Sequence, residues 1–348
     1  MRKFIIHILI VFFFVFGTMG IVNYLIDPSN VYHSEAVPDK VIEGVHQGLN
    51  VTGNFNMNER IYKCKFANIH ARDEVDYIAF GNSRIMTLSS DIFIDRKFLN
   101  MGMSSSKLED MIAIYQACKD NSITFTHAII SVDPVLFNLD DNDTQWISIA
   151  EYFHEFMGEG GGIFEIDKWF NLVSPTYFKS SVKSAVKIAL YGSSETNIQY
   201  VNTVINNNYT RRYDGSIYYD ERYREKNQTD IDYEAKTEGT GAYIYCHLDS
   251  SRLKLFIRFI ETLKKDGIEP IFYCCPFHPI LYSRIYQGAG TLSAMNFVKH
   301  YAAENHIKTI GTFNPDSSGF YNTDFYNGFH ARKESLDKLV RKGLNLYP

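Results

Sequence analysis

The sequence lacks the features that mark several common classes of protein. It has five cysteines, none of them in the C-x-x-C spacing of zinc sites and redox motifs, so a disulfide framework has no signature, although a single disulfide stays open. A formal net charge of −5, with acidic and basic residues interspersed, provides no basic face for nucleic acid. The glycine run at 158–162 has no preceding strand and no Lys-Ser/Thr of a phosphate-binding loop. We therefore expect no nucleic-acid partner, no metal and no organic cofactor.

Apolar and aromatic residues are abundant. Hydrophobic residues make up 45% of the chain, which is enough for a sizeable core and argues against disorder. The 26 phenylalanines and 24 tyrosines can pack in that core or at a partly buried surface. Exposed tyrosines could instead stack on sugars, so both interpretations stay open.

The longest apolar run lies at the amino terminus. Residues 4–22 contain no Asp, Glu, Lys or Arg, and their number is close to the roughly 20 residues that cross a bilayer as a helix. Arg2 and Lys3 precede the run and Asp27 follows it, which predicts a cytoplasmic amino terminus and an exported remainder. The run is longer than the core of a signal peptide and ends without an Ala-x-Ala site, so residues 1–26 are interpreted as an anchor rather than a cleaved signal.

The rest of the chain divides by composition. Residues 27–73 are polar and mixed, and are interpreted as a stalk or a wrap before an α/β domain at 74–348. Residues 193–245, rich in Asn and Tyr, are a cap over the site or irregular surface. Short apolar runs predict strands at 76–80, 97–101, 126–132, 269–275 and 307–311. Helical spacing predicts helices at 106–118, 250–266, 291–304 and 332–345. This alternation predicts a three-layer α/β/α sandwich with a short parallel sheet behind one transmembrane helix.

Ser83 and His330 form the candidate catalytic pair. Ser83 lies three residues after an apolar strand, on a turn opened by Gly81 and before an expected helix, where it could be a nucleophile or a helix cap. His330 lies in a loop before the last helix and could be the base, or a surface histidine. A base needs an orienting partner, and Asn327 and Asp324 are the candidates.

Together these blocks resemble the SGNH/GDSL hydrolase superfamily. FGNSR at 80–84 resembles the nucleophile block, and FYNGFH at 325–330 resembles the Asp-x-x-His block. NMGMSSS at 100–106 resembles the block whose glycine amide joins the oxyanion hole, which implies Gly102 together with the Ser83 amide. SVDPVLF at 131–137 and CPFHP at 275–279 resemble an exported branch linked to bacterial cell-surface polysaccharides.

The chain departs from the family pattern at two points. The aspartate three residues before the histidine is Asn327, which can fix the imidazole tautomer but cannot stabilise an imidazolium by charge. Asp324 could replace it, the pair could act as a dyad, or the chain could be a degenerate member. The family's Gly-x-Asn-Asp block is absent, and SVDPVLFN occupies its place, so Asp133 or Asn138 could take its role.

Three further residues are candidates for substrate binding. Arg84 follows the nucleophile and could hold an anionic group or anchor the loop through an ion pair, Asp133 follows a strand at the same edge, and His278 could line the pocket. The carboxylates Glu109 and Asp110 are interpreted as solvated helix residues, and no paired-carboxylate glycosidase signal is present.

The expected function follows from the resemblance. It implies a membrane-anchored, extracytoplasmic serine esterase or O-acyltransferase that acts on an acylated cell-surface glycan. The alternative is a catalytically degenerate protein of the same fold that binds glycan or an assembly partner. A membrane-bound acyltransferase partner stays open, as do the acyl group and the direction of transfer.

Overall fold

A computed structural model describes residues 1–33, 36–138, 144–159, 163–191, 196–204 and 207–346. The strands are β1 (Asn50–Asn54), β2 (Glu74–Phe80), β3 (Phe98–Asn100), β4 (Thr124–Ser131), β5 (Asn197–Val201), β6 (Thr210–Arg211), β7 (Ile217–Tyr218), β8 (Glu269–Tyr273) and β9 (Lys308–Ile310). The helices are α1 (Arg2–Ile26), α2 (Ala36–His46), α3 (Glu59–Ile69), α4 (Leu108–Asp120), α5 (Ala150–Met157), α6 (Ile163–Leu172), α7 (Pro175–Tyr191), α8 (Glu221–Arg224), α9 (Gln228–Thr237), α10 (Gly241–Ile244), α11 (Ser250–Lys265), α12 (Pro279–Ile285), α13 (Ala289–Glu304), α14 (Pro315–Ser318) and α15 (Lys333–Leu344).

The main sheet has five parallel strands in the order β3-β2-β4-β8-β9. The chain enters at β2, moves outward to β3, and returns to the other side of β2 at β4. Ligands of open parallel sheets bind beyond the carboxyl ends of the strands, at the point where the strand order reverses. In this sheet that point lies between β2 and β4, so the segments after Phe80 and Ser131 meet there.

Each face of the main sheet has its own buried core. Side chains alternate along a strand, so Ile78 and Phe80 of β2 face one core while Tyr77 and Ala79 face the other. The first core includes residues of α4, α11 and α13, and the second includes residues of α15. The expected α/β class, with a parallel sheet and helices on both faces, is confirmed, and the strands and helices predicted for the sheet lie within a few residues of their expected positions.

Residues 27–73 were expected to form a stalk or a wrap, and in the structure residues 36–69 are packed into the folded domain. Val41, Val45 and Val51 are buried in the first core. The buried guanidinium of Arg60 on α3 forms a two-point ion pair with the buried carboxylate of Asp110 on α4, with distances of 2.9 and 3.1 Å. Asp110 was expected to be solvated, and its burial is possible because this cation satisfies it.

The segment that contains residues 193–245 forms a second, antiparallel sheet with β1, in the order β5-β1-β6-β7, and continues into α8, α9 and α10. Residues 193–195 and 205–206 of this expected insertion, and residues 160–162 of the glycine run, lie outside the described residues. The insertion therefore packs with the amino-terminal part of the domain, a long-range pairing that composition does not reveal.

Helix α1 spans 25 residues and is long and apolar enough to cross a membrane. Most of its apolar side chains are exposed, including Phe13 and Phe14 at 70% and 74%. Its carboxyl end packs on the domain, where the side chain of Asn23 is fully buried against α6 and α7.

Candidate active site

Ser83 lies on a tight turn directly after β2. Gly81 opens the turn with φ of +148°, and a Cβ atom at this position would lie 2.3 Å from Cβ of Ser131 on β4. Only glycine therefore lets the end of β2 approach β4 this closely. The residues after Ser83 form successive turns rather than the expected helix, so helix amides are not directed at its hydroxyl.

Ser83 and His330 are brought together from positions 247 residues apart. Ser83 Oγ lies 2.8 Å from His330 Nε2, which is hydrogen-bonding distance. Both residues line an open cavity of about 340 Å³, together with Ser105, Tyr243 and Phe329. The two candidates therefore meet the geometric requirement for a nucleophile and its base.

Asn327 determines which nitrogen of His330 carries the proton. Its Oδ1 accepts hydrogen bonds from the backbone N–H groups of Phe329 and His330, at 2.9 and 2.8 Å, so the oxygen and not the amide nitrogen lies on this side. The same oxygen is 3.1 Å from His330 Nδ1. Because this amide oxygen can only accept, the contact favours the tautomer with the proton on Nδ1, which leaves Nε2 free to accept the proton of Ser83.

Tyr223 of α8 completes the network, and sequence reasoning missed it. Its hydroxyl accepts a hydrogen bond from Asn327 Nδ2 at 2.8 Å and lies 3.0 Å from His330 Nδ1. The rings of Tyr219 and Tyr326 pack beside it, and Tyr219 also contacts the His330 ring edge-on. The only signal in the sequence was the high tyrosine content of 193–245, which does not identify a position.

His330 is neutral at physiological pH. Burial among these rings, followed by the positive charges of Arg84 and Lys226, lowers the pKa of His330 to about 4. No carboxylate faces the imidazole within the described part of the chain to oppose these effects, because the residue in the orienting position is Asn327. The site therefore holds an unprotonated but weak base.

Arg84 anchors the Ser83 turn from below. Its guanidinium is buried, pairs with Asp133 at 2.8 Å and donates to the carbonyl oxygens of Cys275, Pro276 and Phe329. It also stacks over the ring of Phe277 at 3.7 Å from the centroid. Of the two roles considered for Arg84, the geometry supports the ion-pair role. Asp133 is also buried, and its carboxylate binds this guanidinium rather than facing the cavity.

The other oxyanion-hole candidates are already engaged. The amide N–H of Gly102 donates to Asn100 Oδ1 at 2.8 Å. The side chain of Asn138 donates to Ala242 O and accepts from the His247 amide. Neither residue lines the cavity of Ser83. Both serve to fix loops, because Gly102 bonds the side chain of Asn100 and Asn138 bonds two backbone groups.

Two amide groups in the cavity are better placed. Among the described residues, the backbone N–H groups of Ser83 and Ser105 have no hydrogen-bond partner, and both residues line the cavity. Ser105 has φ of +51°, a left-handed conformation that is uncommon for serine and more often found at functional sites. The serine cluster at 104–106 therefore reaches the cavity through Ser105 rather than through Gly102.

Two further candidates lie away from the hydroxyl of Ser83. The carboxylate of Asp324 accepts from the Ser335 hydroxyl and from the Tyr321 amide, so it anchors the loop and does not orient His330. His278 is fully buried, accepts from the Ile280 amide at 3.2 Å and lies 3.2 Å from Asp232 of α9. It therefore begins α12 and contacts α9 rather than lining the pocket.

A scan against protein-family models found no family that matches, and a search of curated proteins found no match.

Proposed function

We propose that the protein is a membrane-anchored serine esterase or O-acyltransferase that acts outside the cytoplasm on an acylated cell-surface glycan. The observation that carries the proposal is the 2.8 Å contact between Ser83 Oγ and His330 Nε2 in an open cavity. The glycan and the location are supported by the resemblance of the motif blocks and by the apolar helix α1.

In the proposed reaction His330 Nε2 removes the proton of Ser83 while Oγ attacks the ester carbonyl carbon. Nδ1 keeps its proton throughout and donates it in a hydrogen bond to Asn327 Oδ1. The imidazolium then protonates the departing alkoxide, which leaves an acyl group on Ser83. Water or a sugar hydroxyl, deprotonated by the same nitrogen, releases the acyl group and regenerates the site.

The charge on the carbonyl oxygen needs donors during attack. The amides of Ser83 and Ser105 are the proposed donors, because they face no other partner in the described residues and line the cavity. The Ser83 amide keeps its expected place in the oxyanion hole, and Ser105 replaces Gly102 and Asn138, since the hydrogen-bonding groups of those two residues are occupied.

Labelling of the full-length protein with a fluorophosphonate tests this function. We expect a stoichiometric adduct on Ser83, and at least a ~100-fold loss of p-nitrophenyl acetate turnover in Ser83→Ala, because the Ser83 hydroxyl is the group that contacts Nε2 of His330. Ser104→Ala, an exposed neighbour outside the cavity, is the matched control and should label normally. If the intact protein shows neither labelling nor ester turnover that depends on Ser83, the proposed enzymatic function is excluded.

A second function, glycan binding without catalysis, is favoured by the neutral Asn327 and by the engaged groups of Gly102 and Asn138. It predicts that Ser83→Ala binds an acetylated oligosaccharide as tightly as the unaltered protein does. It also predicts that neither protein alters the oligosaccharide chemically. Calorimetry followed by mass analysis of the sugar separates the two functions.

A further inference from the structure

The helical pair α6 and α7 lies beside α1 and has unusual surface chemistry. Residues 168–191 contain four lysines and no acidic residue. Several large apolar side chains in this stretch are exposed to between 41% and 69%: Trp169, Phe170, Val182, Val186, Ile188 and Leu190. A protein surface in contact with water rarely exposes so many large apolar side chains in one place. We therefore expect another molecule to cover this surface.

Three hydrogen bonds fix how α6 and α7 lie against the carboxyl end of α1. The hydroxyl of Ser181 donates to Asn23 Oδ1 at 2.9 Å, and Tyr177 donates to Asp27 at 2.6 Å. Asn23 in turn donates to the carbonyl of Leu172 at the end of α6, at 2.8 Å. Residue numbers rise along α1 as they fall along α7, so the two helices are antiparallel.

This direction sends α7 toward the apolar middle of α1. At 1.5 Å per residue, Leu190 lies about 14 Å beyond Ser181 along the helix axis. The second half of α7 therefore lies at the level of the apolar residues that precede Asn23 in α1. If α1 crosses a bilayer, this half of α7 cannot remain in water.

The residues of α7 are arranged for that environment. Successive positions differ by about 100° around a helix, so residues four apart form a row. One row holds Tyr177 and Ser181, which bond Asp27 and Asn23, and the half-buried Ala185; the small residues in this row permit close packing. The next row is apolar and exposed, with Val182, Val186 and Leu190. The row after it holds Lys179, Lys183 and Lys187, all exposed.

The end of α6 carries the matching interfacial residues. Trp169 and Phe170 are 67% and 68% exposed, and they lie within one turn of Leu172, whose carbonyl binds Asn23. Tryptophan prefers the boundary between lipid headgroups and acyl chains. Long lysine side chains can bury their stems in lipid and return the ammonium group to anionic headgroups.

We propose that α7 and the carboxyl end of α6 are inserted beside α1 into the outer leaflet of the bilayer, with Trp169 and Phe170 at its interface. The occupant of the exposed apolar surface is lipid, and the lysine row favours anionic headgroups. The inference rests on α1 as a membrane-spanning helix and not on the chemistry of Ser83. It places the catalytic domain directly on the membrane surface, held by three helices rather than by one flexible anchor.

Tryptophan quenching tests the insertion, because the chain has only Trp146 and Trp169. The full-length protein is reconstituted in phosphatidylcholine–phosphatidylglycerol vesicles with brominated acyl chains. Trp146→Phe leaves Trp169 as the sole reporter. Leu190→Trp and, as control, the 59% exposed Ile94→Trp are each made in a Trp146→Phe/Trp169→Phe background.

We expect Trp169 and the tryptophan at position 190 to be quenched by brominated lipid at least about threefold more than the tryptophan at position 94. Equal quenching at all three positions overturns the proposal. A tryptophan at position 190 that is shielded from aqueous iodide but not quenched by brominated lipid also overturns it, because a protein partner then covers the surface.

Discussion

Two hydrogen-bond networks hold the Ser83 turn and its histidine, and they differ in charge. Arg84 and Asp133 form a buried ion pair, and the other hydrogen bonds of the Arg84 guanidinium go to backbone carbonyls. His330, Asn327 and Tyr223 form a neutral network beside it. The charged groups of Arg84 and Asp133 therefore hold the Ser83 turn in place, whereas neutral groups orient His330. The same arginine that anchors the turn also lowers the pKa of the imidazole.

The largest effect is expected from breaking the charged network. Arg84→Met leaves the carboxylate of Asp133 buried without its cation, and loss of one partner of a buried pair costs about 3–5 kcal/mol of unfolding free energy. Urea unfolding of the full-length protein in mild detergent measures it. The control is Arg96→Met, a half-exposed arginine 3.8 Å from Asp76, which should lose no more than about 1 kcal/mol. Similar losses in both variants would contradict a structural role for Arg84.

The neutral network makes a distinct prediction for pH. The base is the unprotonated imidazole, and protonation is unfavourable because the pKa of His330 is lowered to about 4. Ester turnover by the unaltered protein should therefore stay constant as the pH falls from 8 to about 5, and decline only as it passes through about 4. A half-maximal point near 6.5, the ordinary pKa of histidine, would show that the imidazole is not buried in the working enzyme.

An anionic partner for His330 should make its network charged, as the network of Arg84 and Asp133 already is. In Asn327→Asp a carboxylate faces Nδ1, so we expect the pKa of His330 to rise by about one to three units. The acid limb of kcat/KM moves up by the same amount, and turnover at pH 8 rises at least about tenfold because the imidazolium is stabilised. An unchanged acid limb would mean that residue 327 does not face the base. Asn327→Ala is the matched control and should lose activity without moving the limb upward.

The smallest effect is expected at the hydroxyl of Tyr223. Tyr223→Phe removes the oxygen that accepts from Asn327 Nδ2, but Asn327 Oδ1 is still held by two backbone amides. We expect kcat to fall about three- to tenfold with little change in KM. Tyr219→Phe keeps a ring against His330, its hydroxyl is not bonded to the imidazole, and it should change kcat less than twofold. Equal effects in both variants would exclude a positioning role for Tyr223.

Local patterns were sufficient to predict the parallel sheet. Its strands are short apolar runs, and the helices between them have apolar residues at helical spacing, so both follow from periodicity. The packing of residues 36–69 into the domain could not be predicted from their polar composition, because buried residues such as Arg60 pair with distant partners such as Asp110. The chemistry of one segment does not show which other segment neutralises it.

The sequence by itself determined the long apolar helix at the amino terminus, the α/β class and the two residue types, serine and histidine, that could meet at the end of a parallel sheet. Only the tertiary structure decided that Ser83 and His330 are in contact, that Arg84 is committed to Asp133, and that Tyr223 completes the site. The reason is physical. Periodicity reports which face of an element is buried, whereas a hydrogen bond needs two groups at a fixed distance, and that distance depends on how all the elements pack.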